Sequence, residues 1–422
     1  MLIEFRVSNF RSLRDEQVLS MVADKGAELR ETNTFDSGIA KLGRLVASAA
    51  IYGPNAAGKT NLLKALQFMQ SVVVNSATAV PTGVTAYTPF KLDIFTRQAP
   101  SRFEVTFGDC ETGSRYQYSF SLDAERIHSE RLVEFKARAN LIFERTYRGK
   151  KYEWDFGKSF KGNRTVWRDA TRDNALFLST AVQLNSTQLL PIFNWFKKRL
   201  VVIAGDTQFN AGLTLKLLNE PNGKGRLLPF MREADFSIAD VEVQREPINP
   251  QQGVLIQPGL PMGMPLVEPG GPNESPMLAK VSFSHRPDDP VQIDLADESS
   301  GTQALFRTAG AWLNVFANGE VLLVDEIDSS LHPLLVRFLV NLFHSPKSNL
   351  CRAQLICTTH DTTLLNQGLF RRDQIWFVEK GEDYASRCYP LSDFSPRKDE
   401  VIEKWYMRGR YGALPILTGI DV

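Results

Sequence analysis

The residues Gly53-Pro54-Asn55-Ala56-Ala57-Gly58-Lys59-Thr60 match the pattern G-x-x-x-x-G-K-[ST] at every fixed position. Before them runs Leu45 to Tyr52, apolar and free of charge, which reads as a strand buried on both faces of a parallel sheet. After them Leu62, Leu66, Met69 and Val73 fall on one stripe of a helix. Strand, glycine loop and helix in that order make a phosphate cradle. The glycines let backbone N–H groups converge on phosphate oxygens, and the helix N-terminus adds its partial positive charge. The expected nucleotide-contacting residues are Gly53, Pro54, Asn55, Ala56, Ala57, Gly58, Lys59, Thr60 and Asn61. Lys59 should reach the β- and γ-phosphates, and the Thr60 hydroxyl should ligate Mg²⁺.

A second apolar strand, Val321-Leu322-Leu323-Val324, delivers Asp325 and Glu326 at its C-terminal end. Ligand sites in open α/β sheets lie outside such strand ends. Asp325 is suited to hold Mg²⁺ through water, and Glu326 to polarise an attacking water as general base.

Between these two landmarks the periodicity changes. Residues 103–107, 116–120, 141–147 and 152–156 alternate as half-buried antiparallel strands, with a hairpin turn at Arg148-Gly149-Lys150-Lys151. Residues 171–245 return to helical patterning. The stretch from Pro247 to Pro276 holds eight prolines and five glycines and suits a long loop, with enough apolar residues to dock on a partner. The division expected is 1–100, 101–170, 171–245, 246–277 and 278–422, the first and last forming one α/β head and the middle a β and helical insert.

Composition narrows the class of protein. Of 422 residues, 43% are hydrophobic and 23% charged, enough for a large core. Lys plus Arg minus Asp plus Glu is 49 − 48 = +1, so no global charge forces a nucleic-acid partner. Cys110, Cys351, Cys357 and Cys388 are scattered without metal-ligand spacing, which suits a reducing compartment. No apolar run is long enough to span a membrane and no signal-peptide core is present, so a cytoplasmic location is expected.

The phosphate loop written Gly-Pro-Asn-x-x-Gly-Lys-Thr and the strand ending Asp325-Glu326-Ile327-Asp328 resemble the ABC/SMC-type ATP-binding heads. Ser299-Ser300-Gly301-Thr302-Gln303 is similar to their signature loop, with Glu298 where that loop usually has Leu. Asp328 to Pro333 looks like the loop that faces a dimer partner, and Thr358-Thr359-His360-Asp361 like the switch-histidine loop. More narrowly, Asn9-Phe10-Arg11-Ser12-Leu13, Glu298 to Thr302, Ser330 to Pro333 and Arg408 to Pro415 resemble the prokaryotic stand-alone AAA-labelled ATPases of the RloA type, related to the AriA defence ATPase and the OLD nucleases.

The resemblance implies an α/β P-loop NTPase that binds ATP with Mg²⁺ and hydrolyses it, with His360 sensing the γ-phosphate. It also implies a homodimer or higher homo-oligomer formed through ATP, in which Ser299 and Gly301 complete the site of a second copy. The role implied is the sensing subunit of an anti-phage defence module acting with a separate nuclease or toxin. The rival readings are a DNA-repair or DNA-binding SMC-like ATPase and an ATP-binding scaffold without turnover. Lys59 and Asp325 lie 266 residues apart, about twice the spacing of a transporter subunit, and the gap holds none of the heptads of a chromosome-bridging SMC protein. Only 62 residues follow His360, without a D-x-D motif, which places a catalytic effector on another chain. The glutamine loop is unassigned among Gln98, Gln183 and Gln188, and His285 reads as structural.

Residues 126–172 carry 13 Lys/Arg against 6 Asp/Glu, interleaved with aromatics, but widening to 121–173 cuts the excess from +7 to +4. Contact with nucleic acid, contact with a partner protein and a plain solvated β face all fit that pattern.

Overall fold

The computed structural model describes residues 1–79, 83, 87–109, 112–136, 138–203, 211–234, 237–247, 266–268, 277–287, 291–365, 368–397 and 400–415. In chain order its elements begin with strands β1 (Leu2–Ser8) and β2 (Gln17–Ser20), a helical turn α1 (Arg30–Asn33), β3 (Thr34–Asp36), β4 (Arg44–Val46), β5 (Ser48–Tyr52) and helix α2 (Lys59–Asn75). Next come β6 (Ser101–Asp109), β7 (Ser114–Leu122), β8 (Ile127–Phe135), β9 (Ala139–Tyr147) and β10 (Tyr152–Phe156). Helices α3 (Arg164–Ala170), α4 (Phe177–Gln183) and α5 (Leu190–Arg199) lead into β11 (Leu200–Ile203), α6 (Gly212–Leu218) and α7 (Gly223–Glu233). Strands β12 (Asp240–Pro247), β13 (Leu266–Glu268), β14 (Met277–Ser284) and β15 (Ile293–Asp294) precede α8 (Ser300–Asn318). The chain then runs through β16 (Val321–Val324), α9 (Pro333–His344), β17 (Gln354–Thr358), β18 (Ile375–Lys380), β19 (Ser386–Pro390) and α10 (Ile402–Met407).

The central sheet has the order β11-β16-β17-β5-β18-β19, parallel throughout except for the last pair. Both its faces are buried, as the charge-free strands require. Ala49 and Ile51 of β5, Leu323 and Ile356 pack on one face with α2 and a second sheet. Ala50, Tyr52, Leu322 and Cys357 pack on the other with α8 and α9. Strands β5, β16 and β17 therefore end at one edge, where their loops meet.

The second sheet is antiparallel, in the order β10-β9-β8-β7-β6-β1-β2. Its last two strands come from the N-terminal hundred residues, so the sheet crosses the boundary expected at residue 100. Gln354 joins the two sheets: its buried amide accepts from the Leu2 N–H at 2.7 Å and donates to the Leu2 carbonyl at 3.0 Å. A third sheet, of β12, β13, β14 and β15, covers α8.

Three local expectations change. The run Leu45–Tyr52 is two strands, because Leu45 pairs with β3 and the Val46 N–H is given to the Met21 carbonyl; only Ser48 onward enters the parallel sheet. Strand β8 had no alternating signature because Glu130 stands at an inward position, fully buried against Arg145 of β9 at 2.9 Å. The stretch 171–245, read as helical, also contains β11, the edge of the central sheet, and most of β12. Four residues between helices are too few to show a period of two. The proline-rich stretch lies outside the described residues apart from Pro247 and 266–268. No helix among the described residues is long and apolar enough to cross a membrane.

Candidate functional site

The loop from Gly53 to Gly58 closes tightly because glycine allows it. Gly53 has φ +153°, and a Cβ there would meet the Val378 carbonyl oxygen at 2.1 Å. Gly58 has φ +113°, and a Cβ would fall 2.2 Å from Ser386 Oγ and 2.7 Å from Ser12 Oγ. Both positions combine a left-handed backbone with no room for a side chain.

Ser12 and Ser386 hold the loop from beneath. Ser386 Oγ donates to the Ala57 carbonyl at 2.5 Å and meets Ser12 Oγ at 2.7 Å, while Asn61 Nδ2 donates to Ser12 Oγ at 2.8 Å. The Ser386 N–H is bonded to the Ser12 carbonyl at 2.7 Å. Neither serine was assigned a place in the site from sequence. Ser12 belongs to the Asn9-to-Leu13 stretch near the start of the chain, whereas Ser386, 374 residues away, carries no sequence signal at all.

Lys59 is buried at the first turn of α2. Its ammonium donates to the carbonyls of Gly53 at 2.8 Å and Pro54 at 3.1 Å, and its third contact is His360 Nε2 at 3.0 Å. Burial pushes the Lys59 pKa down, against the pull of the Glu326, Asp325 and Asp328 carboxylates. His360 itself is exposed at the end of β17, where its backbone N–H is bonded to Asp328 Oδ2 at 3.1 Å.

Thr60 and the acidic pair meet at the same strand edge. Thr60 Oγ1 donates to Asp325 Oδ1 at 3.1 Å. The buried Thr358 hydroxyl donates to the same oxygen at 2.7 Å and accepts the Glu326 N–H at 2.7 Å. One threonine thus fixes both acidic residues. Asp325 is buried, while Glu326, at φ +52°, turns its side chain out to solvent beside it.

Ser299 and Gly301 stand apart from that cluster. Ser299 is exposed and caps α8, its hydroxyl accepting the Thr302 N–H at 3.1 Å. A Cβ on Gly301 would lie 3.3 Å from the Ser330 carbonyl oxygen. No hydrogen bond joins either residue to the phosphate loop among the described residues. His285, read as structural, ties the third sheet to this turn: its ring contacts the Ser237 carbonyl at 2.8 Å and Glu298 Oε1 at 2.6 Å. Glu298 replaces the usual apolar residue by that polar anchor. Gln188 is bonded to Ser159 and Lys161, and none of the three glutamines reaches the phosphate loop among the described residues.

The aromatics of 126–172 are committed elsewhere. Trp154 stacks on Phe156 at 5.8 Å, both pack edgewise on Phe177, and Phe160 and Trp167 join them. Trp167 is buried, and Trp154, Phe156 and Phe160 are half-buried against that cluster. Lys150, Lys151, Lys158, Lys161 and Arg164 remain, with no carboxylate partner among the described residues.

A magnesium ion fits the oxygens present. Thr60 Oγ1 and Asp325 Oδ1 are hard donors in contact. No group of three His, Cys, Asp or Glu side chains gathers among the described residues. That donor set suits an ion that takes one carboxylate from the protein and the rest of its shell from phosphate and water.

The family model described as "AAA domain, putative AbiEii toxin, Type IV TA system" matches residues 48–366. No curated protein matches the sequence. Among solved structures, an SMC head bound to the C-winged helix domain of ScpA is similar at 13% identity over 94% of this chain and 99% of that chain, with a TM-score of 0.41. The SMC head domain from Thermotoga maritima is similar at 14% identity over 92% and 98%, with a TM-score of 0.38. The recombination mediator RecF of the RecFOR pathway, with ATPrS, is similar at 14% over 92% and 98%, with a TM-score of 0.33.

Proposed function

The chain belongs to the AAA-domain family of the "putative AbiEii toxin" type, ATPases with an ABC/SMC-like P-loop head, and from that premise we propose that it is a Mg²⁺-dependent ATPase working as a nucleotide-gated switch. The observation that carries this reading is the convergence of Lys59, Thr60, Asp325 and His360 at one sheet edge. ATP takes the place of the three contacts that now satisfy the Lys59 ammonium. The loop N–H groups and the α2 N-terminus bind its phosphates. Thr60 and Asp325 hold Mg²⁺, which neutralises phosphate charge when bound. Glu326, facing solvent, accepts a proton from the attacking water, and His360 contacts the γ-phosphate beside Lys59.

Ser299 and Gly301 complete the site of a second copy, so assembly follows nucleotide state. In this reading the protein is the sensing half of a bacterial defence module with a separate nuclease or toxin. The test is phosphate release and mass in solution for Glu326→Gln. Turnover should fall by about 10²–10⁴ while ATP-bound assemblies accumulate. Undiminished phosphate release would remove Glu326 as base, and an absence of assembly with ATP would remove the switch.

A DNA-clamping reading is favoured by Lys150, Lys151, Lys158, Lys161 and Arg164, which have no carboxylate partner among the described residues. It requires salt-sensitive duplex binding that charge reversal at Lys150, Lys151 and Arg164 weakens.

A further inference from the structure

The Ala57 carbonyl and the Gly58 N–H belong to one trans peptide plane, so they point in opposite directions. Ser386 Oγ holds the carbonyl from beneath the loop at 2.5 Å. The Gly58 N–H is thereby turned the other way, at the N-terminus of α2. It is buried and makes no hydrogen bond among the described residues. A buried donor in that condition costs free energy until an acceptor reaches it. A phosphate oxygen in the loop is such an acceptor.

The serine protons can be placed by counting them. The Ala57 carbonyl only accepts, so the single hydroxyl proton of Ser386 goes to it. Between Ser386 Oγ and Ser12 Oγ, 2.7 Å apart, Ser12 is then the donor. Ser12 accepts in turn from Asn61 Nδ2 at 2.8 Å. The bonds therefore run one way, from Asn61 to Ser12 to Ser386 to Ala57. Each bond in such a chain polarises the next, which strengthens the last one.

The two serines come from opposite ends of the sequence and are fixed together. Ser386 opens β19, and its N–H is bonded to the Ser12 carbonyl at 2.7 Å. The Cys388 N–H is bonded to Gln17 Oε1 at 2.7 Å, and Arg14 pairs with Asp383 at 2.9 Å. The turn between β1 and β2 is thus locked to the β18–β19 hairpin, and the hydroxyls have a rigid base.

We propose that Ser386, supported by Ser12, is a positioning residue for nucleotide binding: by fixing the Ala57 carbonyl it presets the Gly58 N–H toward a phosphate group before the ligand arrives. This role rests on the triphosphate reading of the loop and adds to it the residue that aims one of its donors. A peptide unit without that anchor would have to be ordered on binding, which lowers affinity.

The experiment uses the full chain and two probes with Mg²⁺, a non-hydrolysable ATP analogue and inorganic tripolyphosphate, titrated by calorimetry. Ser386→Ala should raise the dissociation constant of each about tenfold, the worth of one hydrogen bond to a charged group. Equal losses are expected because the donor meets phosphate and not base. Ser12→Ala should raise both constants by less, since Ser386 keeps its bond to Ala57, and should add nothing on top of Ser386→Ala. A merely structural role would lower the melting temperature of the free chain without moving these constants. If Ser386→Ala fails to fold, Ser386→Cys, of similar size and with only a weak donor, carries the same comparison. The proposal is overturned if the Ser386 variant binds both probes as tightly as the parent, if only the ATP analogue loses affinity, or if the two serine changes add in full. Should the parent bind neither probe, the triphosphate reading falls and this role with it, whereas a binding parent with unaltered variants removes this role alone.

Discussion

The ammonium of Lys59 and the Nε2 of His360 stand 3.0 Å apart, although 301 residues separate them in the chain. Lys59 follows β5 and His360 follows β17, and these strands are hydrogen-bonded neighbours. Two groups so placed can share one phosphate oxygen. His360→Ala should lower ATP turnover by about 10²-fold or more, the order seen when one donor to transition-state charge is removed, and leave the melting temperature nearly unchanged because His360 is exposed. Steady-state phosphate release and thermal unfolding check both halves.

Thr358 lies deeper and acts on both acidic residues. Thr358→Val keeps the shape but removes a 2.7 Å bond to Asp325 and strands the Glu326 N–H. The expected cost is about 1–3 kcal/mol of stability, read by denaturant unfolding. As a positioning residue it should also raise the Mg²⁺ concentration needed for half-maximal turnover, an effect a purely structural role would not produce.

The ion pair of Glu130 and Arg145 is fully buried, and Glu130 also accepts the N–H groups of Phe177 and Leu178 that open α4. Glu130→Ala should cost about 3–5 kcal/mol, because an unpaired guanidinium would be left in the core. Thermal or denaturant unfolding measures it; a loss below about 1 kcal/mol would show that Arg145 finds other partners.

His344 gives a pH dependence. Burial beside Ser48 and Gln374 pushes its pKa down from 6.5 to about 3. The unfolded chain then takes up a proton near pH 6.5 that the folded chain refuses until about pH 3. Stability is complete above the upper value and falls through that window by at most about 1.4 kcal/mol per pH unit. Unfolding measured between the two values should show the slope, and His344→Gln should flatten it.

Much of the site was legible in the order of residues. The phosphate loop and the acidic strand are contiguous stretches whose glycines, lysine and carboxylates have few other uses, and both stand where their spacing placed them. The packing of the rings in 126–172 was less legible, because alternation places a ring on a face without saying what covers it. Here α4 covers it, through Phe177. The β8 strand was hidden for a related reason, since a buried glutamate reads as polar until its arginine on the next strand is known.

By itself the sequence determined the local pieces: a glycine loop between a strand and a helix, an acidic strand end, and apolar strands that must be covered on both sides. Tertiary structure alone decided which pieces touch. That Ser12 and Ser386 carry the loop, that Gln354 joins two sheets through Leu2, and that Thr358 fixes both carboxylates follow from pairings of residues far apart in the chain. Local propensity sets φ and ψ over a few residues, whereas strand order is settled by which buried faces and hydrogen-bonding edges can all be satisfied at once.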